Sequence, residues 1–247
     1  MIEMTVIIAH RGSAGTHPEN TLPAFMEAVR SGADGIELDV HMTADQQLVV
    51  IHDESVDRTT DGKGLIRELT LAEIKELDAG SWFDKKYQAT KISTLQEVLN
   101  LLLQMRFRGF LCIELKTNKF HYPGIEKKIS EIMTSKKWPF TYWYVSFNLD
   151  SLRIMHEFEP DIQYDLLQKN DLKKYQCVLE TDFIEGLHPN YDWVKQHPEI
   201  VKDYPKALRP WTPNLYETMM TCFENDFAGI ITDFPEKALR MRSRYNQ

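Results

Sequence analysis

Ionisable residues recur in this chain at the ends of short apolar runs. His10 and Arg11 follow Val6-Ile7-Ile8-Ala9, and His52 and Asp53 follow Leu48-Val49-Val50-Ile51. Glu37 and Asp39 interrupt an apolar stretch two residues apart, as do Glu114 and Lys116. In an extended strand, residues two apart project from one face, about 7 Å from each other along the chain. Two carboxylates so placed repel, and inside a packed interior they call for a cation; hard divalent ions such as Mg2+ or Ca2+ take oxygen ligands. The competing reading of Glu37 and Asp39 is a salt-bridged structural pair. Glu114 and Lys116 alone read as a structural ion pair. Beside Glu37 and Asp39 they complete a three-carboxylate site with an ammonium next to it, suited to a metal and a phosphoryl oxygen. A lone histidine ending an apolar run is usually a hydrogen-bonded core residue. Two at one rim, each beside carboxylates that tune its pKa, read as a general acid and a general base. Arg11 carries a planar guanidinium able to hold a phosphate by two hydrogen bonds, or else to form a surface ion pair.

The elements that must position these residues alternate in type. Strands are expected at 5–9, 34–40, 48–52, 110–115, 141–147, 161–167, 182–187, 206–211 and 228–232. Helical periodicity lies between them at 21–32, 94–106, 123–137, 149–158, 170–179, 191–203, 214–226 and 235–245. Thr21 is the expected cap of the first helix, with Pro23 in its first turn, and Thr94 with Glu97 reads as a capping box. Alternation of this kind implies parallel βα units and an α/β fold. Only His41 to Gln47 separates the second strand from the third, too short for a crossover helix, which needs at least about 10 to 12 residues. Residues 34–52 therefore read as a hairpin, and a turn centred on Asp45-Gln46 pairs Asp39 with His52. Eight strands then remain for a closed (β/α)8 barrel, in which the active site lies at the C-terminal rim of the strands. Residues 57–93 hold no barrel strand and read as an insertion near that rim, with a short helix at 70–78.

The 247 residues, 43% hydrophobic and 27% charged, suffice for one sizeable core, and a single domain over 1–247 is expected. A formal charge of -8 disfavours nonspecific nucleic-acid or anionic-membrane binding, so any phosphate must meet local positive charge. Cys112, Cys177 and Cys222 are odd in number, far apart and without CxxC spacing, so they suggest neither a disulfide framework nor a zinc ribbon. With no secretory leader and no run approaching 18 apolar residues, a cytoplasmic location without a transmembrane segment is expected. Scattered apolar surface residues define no oligomeric state.

Taken in order, His10-Arg11-Gly12, Pro18-Glu19-Asn20-Thr21, Glu37-Leu38-Asp39-Val40, His52-Asp53 and Glu114-Leu115-Lys116 resemble the motifs of the glycerophosphodiester phosphodiesterases. The insertion segments Leu69 to Ile74 and Leu77 to Phe83 are similar to that family's insertion, and Gly229 to Pro235 to its last motif. The resemblance implies a TIM barrel that hydrolyses glycerophosphodiesters to sn-glycerol 3-phosphate and an alcohol with one divalent metal ion, Mg2+ or Ca2+. On that analogy His10 and His52 are catalytic, Glu37, Asp39 and Glu114 hold the metal, and Arg11 and Lys116 grip the phosphate. Glu19 and Asn20 order the first loop, and Trp211 walls the glycerol pocket, although Pro210 and Pro213 flank its segment in a departure from the pattern. Two other readings accompany this one: a lysophospholipase D on the same barrel, and a catalytically silent barrel that binds phosphoglycerol compounds.

Overall fold

Apolar, β-branched runs form the strands and amphipathic segments the helices of a computed structural model that describes residues 4–245. The single domain expected over 1–247 includes residues 1–3 and 246–247, which lie outside the described residues. In chain order the first half comprises β1 (Val6–Ala9), α1 (Leu22–Ser31), β2 (Gly35–Met42), β3 (Leu48–Val50), α2 (Leu71–Glu76), β4 (Ser93–Thr94) and α3 (Leu95–Gln104). There follow β5 (Phe110–Leu115), α4 (Ile125–Thr134), β6 (Thr141–Ser146), α5 (Leu149–Phe158), β7 (Tyr164–Gln168), α6 (Leu172–Glu180) and β8 (Ile184–Pro189). The chain ends with α7 (Tyr191–Gln196), α8 (Pro198–Val201), β9 (Ala207–Leu208), α9 (Tyr216–Glu224), β10 (Gly229–Thr232) and α10 (Pro235–Tyr245).

Eight parallel strands run in the order β10-β1-β2-β5-β6-β7-β8-β9. Between the ends of that series Trp211 bridges Ile231, and the Ile231 N–H donates to the Pro210 carbonyl at 3.0 Å. Side chains alternate across the sheet. Ile8, Cys112, Trp143, Val145, Leu167 and Ile231 cluster on the interior face. Ile7, Ile36, Leu38, Leu111 and Ile113 pack outward with helix residues such as Phe25 and Leu99. Each such fully buried aliphatic side chain contributes about 1.5–3 kcal/mol relative to exposure.

The departures from expectation have local causes. Pro210 lacks an N–H and shortens the expected strand 206–211 to Ala207–Leu208. The helix expected over 191–203 breaks at His197, φ -133 and ψ 52, because the residue before Pro198 is driven out of the helical region. Thr21 occupies the N-cap of α1 without a side-chain capping bond; its hydroxyl donates instead to the Pro18 carbonyl at 2.6 Å. The Thr94–Glu97 capping box forms, and Thr70 with Glu73 makes a second one on α2. The hairpin register also differs by one residue. Thr43 pairs with Gln47 across a three-residue loop, in which the Gln46 N–H donates to the Thr43 carbonyl at 2.9 Å and Gln46 takes φ 60. That loop, a turn closed by a left-handed residue, centres on Asp45. Val40 therefore pairs with Val50, and Asp39 faces Ile51 instead of His52.

Among the described residues no helix is long and apolar enough to cross a membrane, and all three cysteines are free.

Candidate active site

β1 delivers His10 and Arg11 to the C-terminal rim. Arg11 takes φ 51 and Gly12 φ 78, turning the chain sharply toward α1. A Cβ on residue 12 would lie 2.6 Å from the Ala24 backbone, so glycine is required there. The loop then folds back: the Asn20 N–H donates to the Arg11 carbonyl at 3.0 Å, and Asn20 Nδ2 donates to Asp39 Oδ2 at 2.7 Å.

β2 and β5 are paired with Asp39 opposite Glu114. Alternation places Glu37 on the same face, and ligand oxygens of Glu37, Asp39 and Glu114 all lie within 4.8 Å of one another. Burial pushes Glu37 well above the ordinary carboxylate range, and repulsion from Asp39 and Glu114 adds to it. Burial also raises Glu114, although Lys116 opposes the shift. Burial resists charge on Asp39 as well, but Lys116, His52 and Arg11 outweigh it and hold this carboxyl well below its usual range. Lys116 Nζ donates to Glu114 Oε1 at 2.9 Å and lies 3.5 Å from Asp39 Oδ1. Against burial, Glu114 and Asp39 keep that ammonium above the ordinary lysine range. Asp39 Oδ1 is buried without a hydrogen-bond partner. An all-oxygen donor set, two carboxyls pushed toward protonation by burial and by repulsion from their neighbours, and one orphaned oxygen together fit a hard divalent cation.

Both histidines are held by carboxylates. His10 Nδ1 lies 2.6 Å from Asp233 Oδ1, and Asn214 Nδ2 donates to Asp233 Oδ2 at 2.5 Å. His52 Nδ1 lies 2.6 Å from Asp53 Oδ1. Burial opposes ionisation of Asp233, but His10 and Asn214 keep it below the ordinary range; Asp53 is lowered chiefly by His52 and further by Arg58. Ionised carboxylates only accept, so either imidazole, when it carries a single proton, holds it on Nδ1 and keeps the Nε2 lone pair free. Burial, helped by Arg11, lowers the His10 pKa despite Asp233, which favours the neutral ring. His52 lies beyond the end of β3, where the strand alternation no longer applies. Its carbonyl lies 3.1 Å from His41 Nε2, and His41 Nδ1 lies 2.8 Å from the Tyr122 hydroxyl.

Arg11 is embedded in this network. Its N–H donates to Glu37 Oε2 at 2.9 Å and its Nη1 to Glu19 Oε1 at 2.8 Å, while Nε is buried without a partner 3.5 Å from Asp39 Oδ2. Arg58, from the insertion, donates to Glu19 at 2.9 and 2.7 Å and to Asp53 at 2.7 and 3.1 Å. One charged chain therefore links Arg11 to His52 through the insertion.

A cavity of about 490 Å³ opens over the cluster. His10, Arg11, Glu37, His52, Glu114, Lys116 and Trp211 all line it, and Asp39 lies fully buried behind them. Trp211 donates from Nε1 to the His188 carbonyl at 2.9 Å and meets Phe147 edge to face, ring centroids 6.0 Å apart. Val145, Leu167 and Ile231 supply an apolar floor, and the Glu54–Lys119 ion pair, 2.8 Å, stands among the lining residues. Eight residues expected from sequence thus meet at one place.

The sequence reading set Asp53 at the rim and Asp233 in the last motif but gave neither a role as the partner of a histidine. Asp233 directly follows β10 at the same rim, and Asp53 adjoins His52, so rim position brings both near the site, but the pairing of Asp233 with His10 is set by strand order around the barrel. The sequence reading also passed over His188 on β8, because the strand expected there ended at residue 187.

The fold and site define a class, an α/β barrel enzyme with an acidic, phosphate-compatible centre. Residues 10–237 match the model of the Glycerophosphoryl diester phosphodiesterase family, and the chain belongs to that family. It is 38% identical over 242 residues to a glycerophosphodiester phosphodiesterase of Bacillus altitudinis, covering 97% of this chain and 98% of the relative. A glycerophosphodiester phosphodiesterase of Caldanaerobacter subterraneus subsp. tengcongensis is 40% identical over 247 residues, covering 96% and 97%. Among solved structures, an Oleispira antarctica phosphodiesterase in complex with the product sn-glycerol-3-phosphate is similar at 31% identity, TM-score 0.85, with 97% of both chains covered.

Proposed function

We propose that this chain hydrolyses glycerophosphodiesters to sn-glycerol 3-phosphate and an alcohol at the cavity above Glu37, Asp39 and Glu114, with His10 and His52 as the acid–base pair. The observation that carries the reading is the convergence of two carboxylate-held imidazoles, two cations and three buried carboxylates on one cavity. The solved relative with bound product supports the substrate class.

Glu37, Asp39 and Glu114 would hold one divalent ion, Mg2+ or Ca2+, which when bound supplies positive charge to the phosphate group. Arg11 and Lys116 offset charge that builds on the phosphoryl oxygens in the transition state. One imidazole takes, at its free Nε2, the proton of the nucleophile as the new O–P bond forms, and the other protonates the leaving alkoxide as the old P–O bond breaks. With water as nucleophile this gives sn-glycerol 3-phosphate directly, and with the neighbouring 2-hydroxyl it gives a cyclic phosphate that water then opens. Asp233 and Asp53 keep each ring in the tautomer this requires and stabilise it when it becomes cationic. Trp211 and Phe147 wall the glycerol moiety. We further infer that the insertion belongs to the same domain, because its Ile66, Ile74, Ala79 and Ile92 pack with Val49 and Ile51 of the hairpin arm and with Val56 just after it. A small-molecule substrate and a cytoplasmic setting fit the open cavity and the three free thiols.

The test is release of sn-glycerol 3-phosphate from glycerophosphocholine by EDTA-treated protein, read by a coupled dehydrogenase, with and without Mg2+ or Ca2+. Metal-restored release is expected; no release with either ion on several head groups would overturn the reading.

A further inference from the structure

Three interior side chains from adjacent strands form a second polar group inside the barrel, away from the carboxylate cluster. Asp165 on β7 is fully buried and accepts from Arg209 Nη1 at 2.7 Å and from Gln163 Nε2 at 2.9 Å. The same oxygen lies 2.9 Å from Nε2 of His188 on β8, also fully buried. Arg209, just past β9, lies over the Trp143 ring at 5.3 Å. Residue 186 must be glycine for this group to exist, since a Cβ there would lie 2.7 Å from both Arg209 Nη1 and Asp165 Oδ1.

The proton positions follow from the charges. Burial opposes ionisation of Asp165, but Arg209 and His188 outweigh it and keep its carboxyl below the ordinary range, so it only accepts. Burial lowers the His188 pKa, so the ring is neutral. Its one N–H therefore points from Nε2 to Asp165, and Nδ1 keeps a lone pair. His188 Nδ1 is buried with no hydrogen-bond partner, and His188 lines the cavity that holds the catalytic pair. A buried acceptor left unpaired is costly, and a ligand hydroxyl is the natural partner for one on a cavity wall.

We propose that His188 Nδ1 accepts a hydrogen bond from the glycerol hydroxyl farther from phosphorus, with Asp165 as its positioning residue, making this wall a polyol-reading subsite. The inference rests on the phosphodiesterase reading above. In the ring of eight strands β8 stands opposite β2, the strand of Glu37 and Asp39. A phosphate gripped by Arg11 and Lys116 on the carboxylate side leaves the glycerol to cross toward β8. The hydroxyl next to the phosphoester is nearer the carboxylates, and the terminal hydroxyl is the one that spans the cavity.

Two isosteric variants separate the atoms. His188→Gln keeps a donor for Asp165 at the Nε2 position and removes the acceptor at Nδ1; His188→Asn keeps an acceptor at the Nδ1 position and gives up the Asp165 contact. The readouts are KM for glycerophosphocholine and for its analogue lacking the terminal hydroxyl, and calorimetric Kd for sn-glycerol 3-phosphate and its matching deoxy analogue. The wild type should favour the hydroxylated ligands by about 10- to 100-fold, and His188→Gln should abolish that preference by weakening only those ligands. His188→Asn should restore most of it. Equal binding of both ligands by the wild type, or equal weakening of both by His188→Gln, would overturn the proposal. Should either variant fail to fold, equal binding of both ligands by the wild type still overturns the proposal. Product binding without turnover of any diester would instead count against the phosphodiesterase reading and leave the Kd comparison to judge His188.

Discussion

Each imidazole of the proposed acid–base pair meets a carboxylate 2.6 Å from its Nδ1, and this pairing decides what the site can do. His10→Ala and His52→Ala should each lower kcat by about 10²- to 10⁴-fold while leaving Mg2+ affinity, measured by calorimetry, near that of the wild type. Asp39→Ala should lose both turnover and ion binding. Asp233→Asn tests the dyad itself: the amide cannot hold His10 in its working tautomer, so kcat should fall on the order of 10²-fold with KM little changed. An unchanged kcat in Asp233→Asn would reduce the aspartate to a packing residue. At this scale much was legible from the chain alone. The two-residue spacing of Glu37 and Asp39, and of Glu114 and Lys116, places the members of each pair on one face of their strand, and the barrel makes that face the interior. The tautomers were not legible, because Asp233 is separated from His10 by 223 residues.

The insertion at residues 57–93 acts on the site through Arg58, which bridges Glu19, the partner of Arg11, and Asp53, the partner of His52. Arg58 is half exposed, so solvent screening weakens its effect on stability, but it still fixes the geometry of Glu19 and Asp53, the partners of Arg11 and His52. Arg58→Ala should lower kcat by roughly tenfold and leave the melting temperature within a few degrees. Lys75 provides the contrast: on α2 it bonds the Ile92 carbonyl at 2.8 Å and pairs with Glu97 at the start of α3. Lys75→Ala should reduce thermal stability and spare kcat. The opposite pattern, with Lys75 affecting turnover and Arg58 only stability, would contradict this division. The hairpin shows how far a local argument reaches. The seven residues His41 to Gln47 dictate a reversal, but the left-handed Gln46 sets an odd loop length and moves the register by one. His52 still reaches the cavity because it lies beyond the ladder, where its carbonyl meets His41.

For the whole molecule, buried neutral histidines make acid the weak direction. His10 and His188 both have folded pKa values below the unfolded histidine value of about 6.5. Above that value both states are neutral and stability is full. As the pH falls below it, the unfolded chain binds protons that the folded chain refuses, so stability declines toward the lowered folded values. Burial raises Glu37 and Glu114, whose protonation acts in the opposite direction, so the histidine share is read by difference. Between about pH 7.5 and pH 5 the wild type should lose more stability in calorimetric melting than His188→Gln; an equal slope in the variant would remove His188 from the account. Ion binding acts in the other direction. At about 100 times its Kd, Mg2+ or Ca2+ should stabilise the fold by about 2.7 kcal/mol, a shift absent in Asp39→Ala.

Patterning along the chain determined the alternating elements, the closed eight-stranded count, and the rim residues His10, Arg11, Glu37, Asp39, His52, Glu114 and Lys116. These depend on periods of two and 3.6 residues and on loop length, which are local properties. Long-range packing decided the rest. Closure through Pro210, Trp211 and Ile231, the Asp233 partner of His10, and the Asp165–His188–Arg209 group each join strands far apart in the chain. No spacing rule encodes such contacts, because they are set by strand order and stagger around the barrel.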